Sequence, residues 1–444
     1  RDYSKWDDQP GSPEAAVDSV RRATQIATTR PFGPTYVNFD AAIQEMQLDE
    51  WPELYDIAKF QPPAATAPAP AELDQLAEML STAKSPLILA GRSSTDEGDW
   101  AKRIDLAERA GARVITGQGG AAFPTTHPLY AGETSFVLRP DLREEFEKAD
   151  AVLAFDWIDL GGMLRQAYPV GTNMPKIANV SVDHQLHKGW SMDYNALPPV
   201  DLHIATTPEP VTDALLEKMA KSQTKYERNE PTLPAKPEGD GIISVSDLAA
   251  MFLNVTKDQP VSMLSRPIGW PPEAGVIEHP EDYIGGNGGG GVGAGPGIAV
   301  GAALALRDRA SERLPVAVVG DGDYTMSSNA LWTAAANDIP LLVIVANNRA
   351  YFNDELHQQR VAKTRDREEA NAWVGQRIDD PPPDLAMIAR GHGLGGEGPV
   401  DDLAELEGAL ERALDAVRSG TPYVLDVIVA REYVSKRLDG QRKN

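Results

Sequence analysis

The sequence predicts an α/β protein with two doubly wound parallel-sheet domains, together with the C-terminal fragment of a third domain. Apolar runs of strand length alternate with helical patterns along most of the chain, which is the rhythm of parallel sheets covered by helices. Two stretches rich in proline and polar residues, 61–70 and 221–240, interrupt this alternation as linkers do. We therefore expect residues 1–60 to hold the tail of one domain and the start of a linker, and residues 61–220 and 241–444 to form the two larger domains.

The first 60 residues carry only one helical pattern and one strand. Apolar side chains recur on one face between residues 13 and 29, which predicts an amphipathic helix. A glycine–proline turn then leads into an expected strand at residues 35–39. A helix that feeds a single strand is typical of the last βα piece of a larger domain.

The two larger blocks each alternate helices with strands. In the first block, helices are expected at residues 71–83, 97–110 and 141–148, and strands at 86–90, 112–116, 151–155 and 177–182. In the second block, helices are expected at residues 245–255, 298–307, 326–337 and 403–417, and strands at 261–264, 315–319, 340–346 and 423–429.

Composition narrows the classes of function. The chain has 444 residues, with 42 basic and 66 acidic side chains and a formal net charge of −24. This acidity argues against a nucleic-acid-binding protein, which needs a basic face. The absence of cysteine excludes disulfides, thiolate zinc sites and cysteine-bound iron–sulfur clusters on this sequence, and it fits a cytoplasmic location. No apolar run approaches the roughly 20 residues that cross a bilayer, so no membrane association is expected.

The most informative motif is Gly320-Asp321-Gly322, which is followed, after a helix and a strand, by Asn347-Asn348. Each part of the motif ends a predicted parallel strand, and ligands of open α/β sheets bind at the edge where such strands end. A carboxylate, an amide oxygen and a backbone carbonyl make a sparse oxygen site that leaves room for water and phosphate oxygens. Mg²⁺ is usually held beside a diphosphate in this way. The alternative is a chance glycine turn and an unrelated Asn-Asn loop.

A glycine-rich stretch at residues 285–301 opens directly into the helix expected at 298–307. Such glycines let backbone amides crowd around an anion or a flat ring, and the N-terminus of a helix adds positive potential. A flexible linker is the alternative interpretation. The position of the stretch between a strand and an apolar helix favours a binding loop.

With these motifs, the sequence resembles the thiamine-diphosphate-dependent enzymes of the acetolactate synthase, benzoylformate decarboxylase and pyruvate oxidase type. The 27 positions from Asp321 to Asn348 suit that family. The resemblance implies that Asp321, Asn348 and the carbonyl of Ala350 bind Mg²⁺, which bridges the cofactor's diphosphate to the protein. It implies a larger set of cofactor-binding residues, namely Gly290, Val292, Gly320, Asp321, Gly322, Asp323, Tyr324 and Asn348. Val292 matches the apolar residue that holds thiamine in a bent form, and Gly290 would offer a carbonyl to the aminopyrimidine.

The resemblance extends to the other two blocks. Residues 71–220 are similar to the middle domain of these enzymes, which holds FAD in some relatives; no sharp dinucleotide fingerprint is present here. Residues 1–40 resemble the end of the pyrimidine-binding domain. The rest of that domain, with the glutamate that activates the cofactor, is expected on a separate chain or on a fragment cleaved from a precursor. A homo- or hetero-oligomer, a dimer or tetramer, is therefore implied.

The implied activity is the decarboxylation of a small 2-oxo acid, with transfer of the remaining unit to a proton or to a second carbonyl. Alternatives are a flavin-linked 2-oxo acid oxidase and a non-catalytic cofactor-binding or regulatory subunit. Candidate catalytic residues are His279, before the glycine stretch, and Glu355 and His357, after the metal motif, because these side chains commonly exchange protons. An ordinary surface position is the alternative for each. His184 and His187 have metal-like spacing but are expected to be loop residues.

Overall fold

The computed structural model describes residues 4–117, 120–134, 137–185, 196–231, 233–285 and 291–432. These residues divide into two compact units. The first comprises Arg1–Ser94, Ala101–Ile115 and Glu144–Thr224, and the second comprises Thr95–Trp100, Thr116–Arg143 and Lys225–Asn444. No helix in the described ranges is both long and apolar enough to cross a membrane.

The helices and strands of the described residues are numbered here in chain order. The helices are α1 (Pro13–Thr28), α2 (Ala41–Gln44), α3 (Pro70–Thr82), α4 (Glu97–Ala110), α5 (Arg143–Lys148), α6 (Leu160–Ala167), α7 (Pro208–Lys218), α8 (Val245–Thr256), α9 (Gly295–Asp308), α10 (Asp321–Ser327), α11 (Trp332–Ala336), α12 (Phe352–Thr364), α13 (Leu385–Gly391) and α14 (Leu403–Arg418). The strands are β1 (Trp6–Asp8), β2 (Thr35–Val37), β3 (Pro86–Ala90), β4 (Arg113–Thr116), β5 (Tyr130–Glu133), β6 (Ala151–Phe155), β7 (Lys176–Val180), β8 (Leu202–Ile204), β9 (Val261–Ser265), β10 (Leu314–Gly320), β11 (Leu342–Asn347), β12 (Gly395–Val400) and β13 (Tyr423–Ile428).

The first unit is built on a sheet whose strands run in the order β4-β3-β6-β7-β8. The pairs from β3 to β8 are parallel, and β3 and β6 are buried along their whole length. Continuous burial on both faces is what a sheet covered by helices requires, and it explains why these strands read as unbroken apolar runs. A separate two-stranded parallel sheet, β1 with β2, lies at the N-terminal end of the unit.

The second unit is built on a parallel sheet with the order β12-β13-β11-β10-β9. Successive side chains of β10 and β11 point to opposite faces of the sheet, so each strand contributes side chains to the core on both faces. One face packs against α9, α10 and α13, whose buried side chains include Ala303, Tyr324 and Leu385. The predicted fold class, α/β with two parallel sheets, is confirmed.

One predicted element of the second unit is wrong. Residues 326–337 do not form a single helix: α10 begins at Asp321, a 3₁₀ turn follows at Ser328–Leu331, and α11 continues to Ala336. The early start is understandable because acidic side chains in a first turn suit the positive end of a helix. The break coincides with serine and asparagine, whose side chains compete for backbone hydrogen bonds.

Several elements carry no strong sequence signal and were not predicted. They include α6, α7, β8 and β12. Strand β12 has three glycines and a proline, which are depleted in strands, and it lies at the edge of its sheet. Helix α13 follows Asp384, whose carboxylate accepts a hydrogen bond from the amide of Met387 at 2.7 Å.

Candidate active site

The two parts of the metal motif lie at one edge of the second sheet. Strands β10 and β11 are parallel neighbours, and Gly320 pairs with Ala346. Both strands therefore end at the same level, with Asp321 following one and Asn348 following the other. The topology brings together residues that the sequence separates by 27 positions.

Asp321 is a buried carboxylate with an unsatisfied oxygen. The residue is only 2% exposed, and its Oδ2 atom has no hydrogen-bond partner. Burial raises the pKa of this carboxyl to about 6; backbone N–H donors, including those of Gly322 and Ala350, oppose the rise, and the charge of Asp426 adds to it. A buried, unpartnered carboxylate oxygen is costly unless a cation or donor completes it.

The segment after β11 turns back on itself through its asparagine side chains. Oδ1 of Asn347 accepts a hydrogen bond from the Arg349 amide, and Oδ1 of Asn348 accepts one from the Ala350 amide, each at 3.0 Å. Arg349 adopts a left-handed conformation with φ of 56°, which is uncommon for a residue with a side chain. The Ala350 amide also lowers the pKa of the Asp321 carboxyl, so the Asp321 and Asn348 side-chain oxygens both lie near this amide.

The orientation of Ala350 follows from its pairing with a second segment. The Tyr351 amide donates to the carbonyl of Gln376 at 2.7 Å, and the Ile378 amide donates to the carbonyl of Arg349 at 2.9 Å. Ala350 therefore sits in a non-hydrogen-bonded antiparallel bridge, and its own amide and carbonyl point away from the pairing segment. They point to the side on which Asp321 lies.

These three oxygens fit a hard divalent cation. One carboxylate, one side-chain amide and one backbone carbonyl leave most of an octahedral shell for water and phosphate oxygens, as Mg²⁺ prefers. The described residues contain no group of three or more histidine, aspartate or glutamate side chains that could hold a metal by themselves. The site is therefore suited to a cation that arrives with an anionic ligand.

The two glycines of the motif have different roles. A Cβ atom on Gly322 would overlap the ring of Tyr351, so glycine is needed there for close packing. A Cβ atom on Gly320 would meet nothing within 4 Å, and the φ angle of this residue is an ordinary −77°. Gly320 thus leaves open space beside the metal site. Tyr324 is fully buried and donates its hydroxyl to the Leu385 carbonyl at 3.1 Å, so only its backbone is free to face a cofactor.

The glycine-rich loop reaches this edge alongside helix α10. Residues 282–284 pair in parallel with β9, which carries the chain toward the edge where Asp321 lies. Val292 is 52% exposed, and the amides of Gly293 and Gly295 donate to Oδ1 of Asp323 at 2.5 and 3.3 Å. Gly290 lies outside the described residues.

Residues 347–350, called the metal loop below, are supported by two residues that the sequence did not reveal. Asp426 on β13 is buried and accepts a hydrogen bond from the Asn347 amide group at 2.9 Å. Burial raises the pKa of Asp426 to about 6, and Asn347 and Arg349 oppose the rise. Arg431 donates from Nε to the Asn348 carbonyl at 2.8 Å and from Nη2 to Asp379 at 2.5 Å. A carboxylate in the middle of a strand is the one sequence signal that could have indicated Asp426.

The candidate catalytic residues are not brought together. His279 pairs with Glu97 at 3.1 Å and lies in a turn just before residues 282–284, and so near the amino-terminal end of the sheet. The neighbouring Glu281 and Asp282 pair with Arg313, which precedes β10 and confirms this placement at the end opposite Asp321. These contacts place His279 near the end of β10 that is opposite Asp321, and its catalytic role stays a prediction.

Glu355 and His357 both lie on α12, which begins just after the metal loop. Glu355 is 6% exposed and forms an ion pair with Arg377, with both oxygens 3.3 Å from the guanidinium. His357 is exposed on another side of the helix. The ion pair joins α12 to the segment that pairs with Ala350.

Two protein-family models match the chain. Residues 73–198 match the central domain of thiamine pyrophosphate enzymes, and residues 273–427 match their C-terminal, thiamine pyrophosphate-binding domain. The chain belongs to the thiamine pyrophosphate enzyme family. The resemblance inferred from Asp321 and Asn348 is confirmed, and thiamine diphosphate is the cofactor that this family's C-terminal domain binds.

The relatives of this thiamine pyrophosphate enzyme differ in their reactions. The chain is 22% identical to a probable acetolactate synthase large subunit of Methanocaldococcus jannaschii, over 96% of this chain and 71% of that protein. It is 25% identical to a sulfoacetaldehyde acetyltransferase of Alcaligenes xylosoxydans, over 82% of this chain and 63% of that protein. Benzoylformate decarboxylase from Polynucleobacter necessarius shares the fold, with a TM-score of 0.74 at 19% identity over 97% of this chain and 76% of that one.

Proposed function

We propose that the protein is a thiamine-diphosphate- and Mg²⁺-dependent enzyme that acts on the carbon–carbon bond of a small 2-oxo acid, as a decarboxylase or a carboligase. The buried, unpartnered Oδ2 atom of Asp321, beside Asn348 and Ala350 in a domain of this family, is the observation that carries the proposal. Relatives named acetolactate synthase and benzoylformate decarboxylase support the substrate class.

In this proposal, Asp321, the Asn348 side chain and the Ala350 carbonyl hold Mg²⁺. The open space beside Gly320 and the adjoining backbone of Gly322 receive the diphosphate, with the backbones of Asp323 and Tyr324 next to them. The bound cofactor supplies a carbon nucleophile and an electron sink for cleavage of the bond next to the keto group. The protein contributes position and electrostatics, since its charged groups are fixed before substrate binds.

The loop residues complete the proposed site. Val292 supports the thiamine ring, and Gly290 offers its carbonyl to the aminopyrimidine. His357 is a candidate for proton exchange at the mouth of the site because it is exposed on α12. Glu355 is assigned to holding Arg377, with which it forms an ion pair.

The proposal includes a partner that supplies the pyrimidine-binding domain and the glutamate that activates the cofactor. This partner is a separate chain or a fragment cleaved from a precursor. The assembly is then a homo- or hetero-oligomer, and its location is the cytoplasm.

A second candidate function is acyl transfer to an acceptor other than a 2-oxo acid. It is favoured by the sulfoacetaldehyde acetyltransferases among the relatives, one of which is 40% identical over 23% of this chain. The metal and diphosphate residues are the same in both candidates, so the donor and the acceptor of the transferred unit distinguish them. Flavin-linked oxidation requires FAD, and visible absorbance of the purified protein tests for it.

The deciding experiment has two stages. Binding of thiamine diphosphate with Mg²⁺ is measured first by calorimetry on wild type and on Asp321→Asn. Binding to wild type together with loss of binding in the variant supports the site. The complete assembly is then incubated with pyruvate, with benzoylformate, and with sulfoacetaldehyde plus phosphate, and CO₂ and acyl phosphate are measured. Bound cofactor without turnover of any of the three would contradict both candidate functions.

A further inference from the structure

The described part of the glycine loop is attached to helix α10 at Gly293. The amide of Gly293 donates to Oδ1 of Asp323 at 2.5 Å, and its carbonyl accepts a hydrogen bond from the hydroxyl of Ser327, also at 2.5 Å. Both side chains belong to α10, four positions apart, which places them on the same face of a helix. The peptide groups on both sides of Gly293 are therefore fixed by one helix.

Steric contacts reinforce this attachment. A Cβ atom on Gly295 would overlap the Asp323 carboxylate, and a Cβ atom on Gly293 would lie 3.0 Å from that of Met326. Gly293 also has a φ of 96°, which side-chain-bearing residues rarely adopt. The loop can approach α10 this closely only because both positions are glycine.

The Asp323 carboxylate has a second task. Helix α9 begins at Gly295, and its N-cap residue Ala294 has no side chain that could accept a hydrogen bond. Asp323 supplies the missing acceptor by binding the Gly295 amide at 3.3 Å. A carboxylate is well placed there because the N-terminus of a helix is positive. The same side chain thus fixes the loop, the start of α9 and the first turn of α10.

We infer that Asp323 and Ser327 are positioning residues that set the place of Val292 relative to Asp321. Helix α10 carries Asp321 at one end and holds the Val292 loop through these two side chains. The inference rests on the proposed function, in which Asp321 serves the metal and diphosphate and Val292 serves the thiamine ring. Loss of the attachment should then weaken recognition of the ring without weakening recognition of the diphosphate.

Two probes separate these effects. Dissociation constants of thiamine diphosphate and of inorganic pyrophosphate, each with saturating Mg²⁺, are measured by calorimetry on wild type, Asp323→Ala, Asp323→Asn and Ser327→Ala. Asp323→Ala should weaken thiamine diphosphate binding about tenfold, since it removes two backbone hydrogen bonds that order the loop, and should change pyrophosphate binding less than about twofold. Asp323→Asn, which keeps an acceptor oxygen, should restore most of the affinity. Ser327→Ala should act in the same direction with a smaller effect.

Asp402 provides a matched control. Its carboxylate also accepts hydrogen bonds from two backbone amides, those of Gly241 and Ala404, and caps helix α14 in the same unit. Asp402→Ala should leave both affinities within about twofold of wild type. An equal loss of both probes in Asp323→Ala, or no loss of either, would overturn the inference. Failure of wild type to bind either probe would instead overturn the proposed function.

Discussion

Asp321 shows how a single residue prepares the site for a cation. A carboxylate that is 2% exposed, with one oxygen unpartnered, is less stable when ionised than it would be in water. A second buried carboxylate, Asp426, adds its charge nearby. Without a cation the protonated acid is therefore the major form up to about pH 6, and a divalent cation offsets the unfavourable charge of the ionised form when it binds.

This arrangement predicts a specific pH dependence. Because the folded-state pKa of Asp321, about 6, lies above the usual 3.8, its protonated carboxyl contributes stability that is fully present below about pH 4 and is lost as pH rises through 6. Asp321→Asn removes this loss, so the variant's advantage in free energy of unfolding should increase by about 2 kcal/mol between pH 4.5 and 7. Urea unfolding without Mg²⁺ at the two pH values measures it. An advantage that does not change with pH would show that Asp321 is not responsible.

Gly322 gives a prediction about packing at the same scale. Gly322→Ala places a methyl group against the Tyr351 ring, which lies next to the Ala350 loop, and overpacking of this kind costs about 1–3 kcal/mol. Gly320→Ala is the matched control, because a Cβ there meets open space. Thermal unfolding of both variants without cofactor should show a clear decrease in melting temperature only for Gly322→Ala. Equal effects would mean that backbone freedom, and not the Tyr351 contact, explains the glycine.

At the scale of elements, the metal loop is held by parts of the chain that are distant in sequence. Residues 376–378 pair with its backbone, and Arg431, beyond the last strand, binds the Asn348 carbonyl and Asp379. Arg377 connects the same segment to Glu355 on α12. The loop that carries two proposed ligands is thus fixed on the side away from Asp321.

Among the residues that hold the metal loop, we expect Arg431 to have the largest effect on metal affinity. Arg431→Ala should weaken Mg²⁺ binding, measured with saturating thiamine diphosphate, about five- to tenfold, because one carbonyl and one carboxylate lose a charged donor. Arg431→Lys should recover only part of the lost affinity. Lysine keeps the positive charge, but it lacks the planar guanidinium that binds both partners. Arg412→Ala, which breaks an exposed pair with Glu397 elsewhere in the unit, is the control and should leave the affinity unchanged. A loss of the same size in the control would contradict a specific role for Arg431.

How well an element or a contact could be predicted from the sequence depended on whether its signal is local. Strands β3 and β6 and helix α4 were predicted to the residue, because buried apolar runs and helical periodicity are local signals. The Asp321–Asn348 pair was predictable because it follows from two strand ends. Contacts such as Asn348 to Arg431, 83 residues apart, have no local signal and depend on the tertiary fold.

At the scale of the whole molecule, the two units differ in what they bind. Each has its own parallel sheet and buried core, whereas the proposed metal and cofactor residues all belong to the second unit. The net charge of −24 also attracts divalent cations to the surface without a specific site. A test at this scale must therefore separate specific stabilisation of one unit from general cation binding.

Differential scanning calorimetry makes that separation. We expect the chain to unfold in two transitions, one for each core, because multidomain proteins commonly depart from two-state behaviour. Thiamine diphosphate with Mg²⁺, at about 100 times its dissociation constant, should stabilise only the second unit, by about 2.7 kcal/mol. Asp321→Asn should abolish this cofactor-dependent stabilisation. Any small shift that Mg²⁺ alone produces should be the same in wild type and in the variant. Two results would contradict the prediction: an equal shift of both transitions in wild type, or a shift in Asp321→Asn as large as that in wild type. Either result would mean that the stabilisation comes from surface charge and that the second unit does not bind the cofactor specifically.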